Sequence, residues 1–111
     1  MAEKMNEAQF LAAYKQTLAA IEETVEAAVQ ADVDIDYESG NDMLTLMFSN
    51  GSVAIISRQS AIHQLWLAAR SGGFHFEFDG TNWICTLNGR SLQDMLSEIC
   101  VDQGKIQLSF V

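Results

Sequence analysis

The sequence has no proline, two cysteines and only six basic side chains among 111 residues. With no proline to remove a backbone donor, nothing interrupts the helical pattern of residues 7–30. Cys85 and Cys100 are too few and too isolated for a disulfide framework or a zinc site. Such sparing use of cysteine suits a reducing compartment, and a cytoplasmic location is expected. No apolar stretch approaches the roughly 20 residues that a membrane span requires. The opening Met1-Ala2-Glu3-Lys4-Met5-Asn6-Glu7 has no basic region followed by an apolar one, so no secretion signal is expected. The shortage of basic residues leaves a net charge of −9, which argues against nucleic acid and anionic membranes as partners.

A hydrophobic fraction of 49% is ample for one core, and 111 residues fit one domain, expected to span residues 1–111. The charge is lopsided. Residues 1–42 carry ten acidic side chains against Lys4 and Lys15, a net −8, while residues 43–111 carry −1. One acidic end creates a directed field that attracts cations and basic protein surfaces.

From Glu7 to Gln30, Phe10, Leu11, Tyr14, Leu18, Ile21, Val25 and Val29 recur every three or four positions, which predicts an amphipathic helix. The period then falls to two. In Asp32-Val33-Asp34-Ile35-Asp36-Tyr37-Glu38 carboxylates alternate with apolar residues, which predicts a strand with one buried face. Ser39-Gly40-Asn41 turns the chain into a second strand, Met43 to Phe48. Asn50-Gly51 signals a type I′ hairpin into a third, Ser52 to Ser57. His63 to Ala69, Phe74 to Phe78 and Asn82 to Leu87 supply three more. Ser91 and Asp94 then cap a second helix that ends at Gly104. Ile106, Leu108 and Phe110 alternate as a short closing strand. The order α-β6-α-β, with consecutive hairpins, predicts an α+β two-layer sandwich, both helices packed on one face of an antiparallel sheet.

Several stretches in this order resemble the frataxin family, in its bacterial branch, over essentially the whole chain. They are Ile35-Asp36-Tyr37-Glu38, Leu44-Thr45-Leu46 before Asn50-Gly51-Ser52, Arg58-Gln59, His63-Gln64-Leu65-Trp66-Leu67-Ala68, Ser71-Gly72-Gly73-Phe74-His75-Phe76 and Asn82-Trp83-Ile84-Cys85. The resemblance implies an iron-binding acidic ridge on the first helix and first strand, here Glu22, Glu23, Glu26, Asp32, Asp34 and Asp36. It also implies action beside the cysteine desulfurase and the scaffold protein that build iron–sulfur clusters. Ala27 to Gln30 stand where relatives often carry further acids, so this ridge is thinner. Ser57 replaces a usual Asn before the basic-Gln pair.

Carboxylates are hard oxygen ligands, suited to iron (Fe2+ or Fe3+) and to other divalent cations. Alternate strand residues lie about 6 to 7 Å apart, so Asp32, Asp34 and Asp36 cannot all chelate one ion. Glu22 and Glu26, one helical turn apart, could share one. Weak, hydrated sites are expected; a merely solvated, edge-protecting face is the bland alternative. If Leu65 and Leu67 point into the core, Trp66 stands on the open sheet face with Gln64, near His75 or Arg58. There it could anchor a partner or simply pack over its neighbours. No catalytic residues are expected. Three functions stay open: an iron-responsive regulatory module of cluster assembly, a metal-free acidic adaptor, and a ferroxidase. The last would need a Glu-x-x-His di-iron motif that the sequence lacks. A monomer is expected, with iron-driven oligomerisation open.

Overall fold

The first helix, α1 (Glu7–Gln30), begins on a reciprocal cap. The Asn6 side chain accepts the Gln9 backbone N–H at 2.8 Å, and the Gln9 side chain accepts the Asn6 N–H at 2.9 Å. The computed structural model describes residues 5–110. Phe10, Tyr14, Ile21, Val25 and Ala28 form the buried stripe, as the period of 3.6 requires.

The helix ends differently from the sequence-based expectation. Asp32 takes a left-handed conformation (φ +62°); its N–H donates to the Val29 carbonyl and the Val33 N–H to the Ala28 carbonyl. This is the Schellman arrangement, with Asp32 in the seat that glycine usually fills. Asp32 is therefore a helix stop and not the first residue of a strand. Strand β1 starts three residues later, at Ile35–Gly40. The carboxylate also sits at the negative end of the helix dipole, so two local preferences are violated at once. Asp32→Gly is expected to stabilise the fold by about 1 kcal/mol, raising the melting temperature by several degrees. A lower melting temperature would mean that this carboxylate makes a stabilising contact absent from the geometry.

The sheet then runs β2 (Met43–Phe48), β3 (Val53–Gln59), β4 (Gln64–Ala69), β5 (Gly72–Phe78) and β6 (Trp83–Cys85). Strand order is β1-β2-β3-β4-β5-β6, antiparallel throughout. The β1–β2 turn is the type I′ one: Asn41 and Asp42 both have positive φ, 53° and 59°. At Asn50-Gly51 the hairpin forms, but as a three-residue loop. The Gly51 N–H donates to the Phe48 carbonyl, and Gly51 takes positive φ (+87°) while Asn50 does not. A single-turn helix, Ser60–Ile62, precedes β4 and ends on left-handed His63.

Leu44, Leu46, Ala54, Ile56, Leu65, Leu67, Phe76, Trp83 and Cys85 share the sheet face turned to the helices and are buried. Trp83 is the core tryptophan, its indole N–H donating to Thr17 Oγ1 at 2.8 Å. Helix α2 (Leu92–Gly104) starts on the Ser91 cap and lays Leu92, Met95, Leu96, Ile99 and Cys100 on the same core. Gly104 does not take positive φ; Lys105 after it does (φ +57°). A Cβ on Gly104 would lie 2.5 Å from the Phe48 ring, so close approach fixes this glycine.

The closing strand does not form. Ile106 to Phe110 alternate in burial, yet the segment joins no strand. Phe110 lies beside Leu92 and Leu96, so the tail follows the helix layer and runs along neither edge strand, β1 or β6. The two-layer α+β sandwich itself is as expected from the sequence.

Candidate metal-binding ridge and open sheet face

Glu22, Glu23 and Glu26 occupy the last turns of α1, Glu23 exposed and the other two half-buried. Tyr37 reaches them from β1: like Ile35, it points toward the helix layer. Its hydroxyl donates to Glu26 Oε2 at 2.8 Å, while the Gln30 amide donates to Glu26 Oε1 at 3.0 Å. Both carboxylate oxygens are thus engaged. The Gln30 amide, and then the Tyr37 hydroxyl, hold the Glu26 carboxyl below the usual range. The Tyr37 phenol is pushed up by its bond to Glu26, by burial, and by the charges of Glu26, Glu22 and Asp36. A shallow groove of about 380 Å³ collects Glu22, Glu23, Glu26, Gln30 and Tyr37.

The three aspartates are spread more widely. Asp36 is on β1, its carboxylate accepting the Tyr37 backbone N–H at 2.8 Å. Exposed Asp34 shares a separate hollow with Asp36, Met47 and Ser49, and Asp32 is at the helix stop. The alternation along β1 turns Asp36 and Glu38 to the open sheet face. The acidic strip therefore straddles the sheet edge, glutamates on the helix side and Asp36 and Glu38 on the other. Among the described residues no three His, Cys, Asp or Glu side chains converge to hold one metal ion. One or two carboxylates plus water are what this strip offers a cation.

Tyr37 is a member that the sequence reading passed over. The available signal was its place: an inward strand residue just after a helix whose last turns carry glutamates.

The open face is read from the register. Asp36 aligns with Met47 and Val53, and Glu38 with Thr45, Ile55 and Ala68. Further along the same face, Ser57 aligns with Trp66 and His75. Half-buried Trp66 stacks on His75, centroids 4.3 Å apart and planes 10° from parallel. Its indole N–H donates to Gln64 Oε1 at 3.0 Å, and the Gln64 amide donates to Glu77 at 3.3 Å. Arg58 is not beside them. Its cross-strand partner is buried Leu65, so its side chain leaves from the helix-layer face. There it bonds Asp42 at 2.9 Å and Ser60 at 2.5 Å. Ser57 is the residue opposite Trp66. His63 stacks on Phe10 at 5.2 Å, and burial pushes the Cys100 thiol up to about 11.

A Frataxin-like domain model matches residues 3–106. The chain belongs to the frataxin-like domain family. Among its relatives is the iron-sulfur cluster assembly protein CyaY of Bordetella parapertussis, 41% identical over 106 residues, covering 95% of this chain and 97% of that one. CyaY of Pseudomonas fluorescens is 48% identical over 83 residues, covering 73% and 76%. The solved frataxin of Psychromonas ingrahamii superposes with a TM-score of 0.88 at 33% identity, covering 96% of this chain and 99% of that one. Among the described residues of this frataxin-like chain, no helix is long and apolar enough to cross a membrane.

Proposed function

We propose that this frataxin-like chain is an iron-binding regulatory protein of iron–sulfur cluster assembly. It takes ferrous or ferric iron weakly, as cargo or signal, on the acidic strip, and modulates a cysteine desulfurase working with a scaffold protein. The observation that carries this reading is the strip itself. Carboxylates crowd the negative end of α1 and cross the β1 edge onto the face that holds Trp66. Affinity is low because a cation shared by Glu22 and Glu26 must compete with Tyr37 and Gln30 for Glu26. Other divalent cations bind the same exposed carboxylates. The chain works in the cytoplasm as a monomeric binding module and not as an enzyme, consistent with the absence of a Glu-x-x-His motif.

The partner contact has two parts. Charge steers encounter with a basic surface of the desulfurase, and the Trp66 face engages the assembly once docked. Trp66→Ala is expected to leave association nearly intact and speed dissociation, at a cost of about 2 kcal/mol in affinity. Surface plasmon resonance against desulfurase, with and without scaffold, reads this directly. Unchanged dissociation would remove Trp66 from the interface, and a collapsed thermal melt would make it a core residue.

A further inference from the structure

Three neighbours on the open sheet face hold Trp66 in one pose. Its indole stacks on His75 of the next strand, centroids 4.3 Å apart and planes 10° from parallel, so one face of the ring is covered. Its N–H donates to Gln64 Oε1 at 3.0 Å, and the Gln64 amide donates in turn to Glu77 at 3.3 Å. A carboxylate only accepts, so Glu77 takes the N–H end of the Gln64 amide and leaves the carbonyl end to the indole. The ring is thereby oriented before any partner arrives, and its ordering adds little to the cost of binding.

The pose limits what Trp66 presents. With the indole N–H engaged, the ring has no free donor for a partner carbonyl. The second ring face remains, on the side of β3. Ser57 stands opposite Trp66 on that strand, and its short side chain leaves room above the sheet.

Charge narrows the occupant. Asp36, Glu38 and Glu77 are exposed carboxylates of this sheet face. Arg58, the one Lys or Arg in any strand, leaves from the other face. A tryptophan ring is the best side-chain platform for a cation, and a planar, weakly hydrated guanidinium stacks on it. We infer that Glu77, Gln64 and His75 position Trp66 so that its free face, over Ser57, receives an arginine side chain of the partner. This role rests on Trp66 being the partner contact proposed above. Small probes test it without desulfurase or scaffold, so either reading can fail alone.

The probes are acetyl-arginine amide and acetyl-citrulline amide, which has nearly the same shape but no charge. Each is titrated into the full chain at constant ionic strength and followed by NMR. Arginine should shift the Trp66 indole N–H and the Ser57 and His75 amides, and bind about fivefold tighter than citrulline, the factor that a cation on an exposed ring supplies. That comparison needs no variant. Trp66→Leu, with Glu77 intact, should erase the preference. Gln64→Leu should bring the Trp66 indole N–H into faster exchange with water. His75→Ala should weaken arginine binding about threefold or more, the factor for re-ordering one side chain, and His75→Phe should restore it. Equal affinity for the two probes, a preference that survives Trp66→Leu, or shifts confined to the acidic strip overturn the proposal. Arginine binding unchanged in His75→Ala, or indole exchange unchanged in Gln64→Leu, overturns the positioning it assigns.

Discussion

Replacing Gln103 by Leu should destabilise the fold by about 3 kcal/mol, since two groups would lose their hydrogen-bond partners in one place. Gln103 is the buried polar residue of the core layer, 3% exposed at the end of α2. Its Oε1 accepts the Arg70 backbone N–H at 2.8 Å, and its Nε2 donates to the Val53 carbonyl at 3.1 Å and to Ser52 Oγ at 3.2 Å. Its own carbonyl accepts from the Asn50 side chain at 2.6 Å. One side chain thus joins α2 to the β2–β3 hairpin and to the turn between β4 and β5. Leucine keeps the bulk but leaves the Arg70 N–H and the Val53 carbonyl unpaired. Urea denaturation should show a lower midpoint at unchanged slope. A loss below about 1 kcal/mol would mean that water re-satisfies both groups, and the residue would not be the tie described here.

Reversing Glu22, Glu23 and Asp34 to Lys should slow association with a cysteine desulfurase by about tenfold or more at low salt and flatten its salt dependence. Each reversal changes the charge by two, so the net charge moves from −9 to −3. The three positions are chosen because Glu26 is tied to Tyr37 and Gln30, so its reversal would also loosen α1 from β1. Stability should hold or rise, because Lys complements the negative end of a helix that now carries carboxylates there. Stopped-flow association at two salt concentrations, beside a thermal melt, separates steering from folding. Unchanged association kinetics would remove the electrostatic half of the partner model.

Much of the fold was legible in period alone. The stripe from Phe10 to Val29 placed α1, and alternation from Leu65 to Leu67 put Trp66 on the open face. The misses share one cause: period describes side-chain direction and not backbone pairing. Asp32 continued the alternation of the strand while capping the helix, because the helix stop and the strand meet there without a break in pattern. Ile106, Leu108 and Phe110 alternate correctly, but their backbone follows the helix layer and pairs with neither edge strand. Arg58 is expected near Trp66 on the open face, whereas register places it on the opposite one. At the site, charge counting points only to an acidic N-terminal end, and the choice of Glu22, Glu23, Glu26, Asp32, Asp34 and Asp36 within it comes from the family resemblance. Tyr37 stayed hidden because its role depends on the contact between α1 and β1, which no local pattern encodes.

The central claim is that iron is held by the acidic strip, weakly and without a cage. Amide NMR of the full chain, titrated with Fe2+ and with a diamagnetic trivalent ion, tests it most directly. Signals within residues 22–36 should broaden or shift first, with micromolar or weaker affinity that salt reduces further. Selective effects at His63 and His75 with an untouched strip, or one tight, salt-insensitive site, would contradict the account.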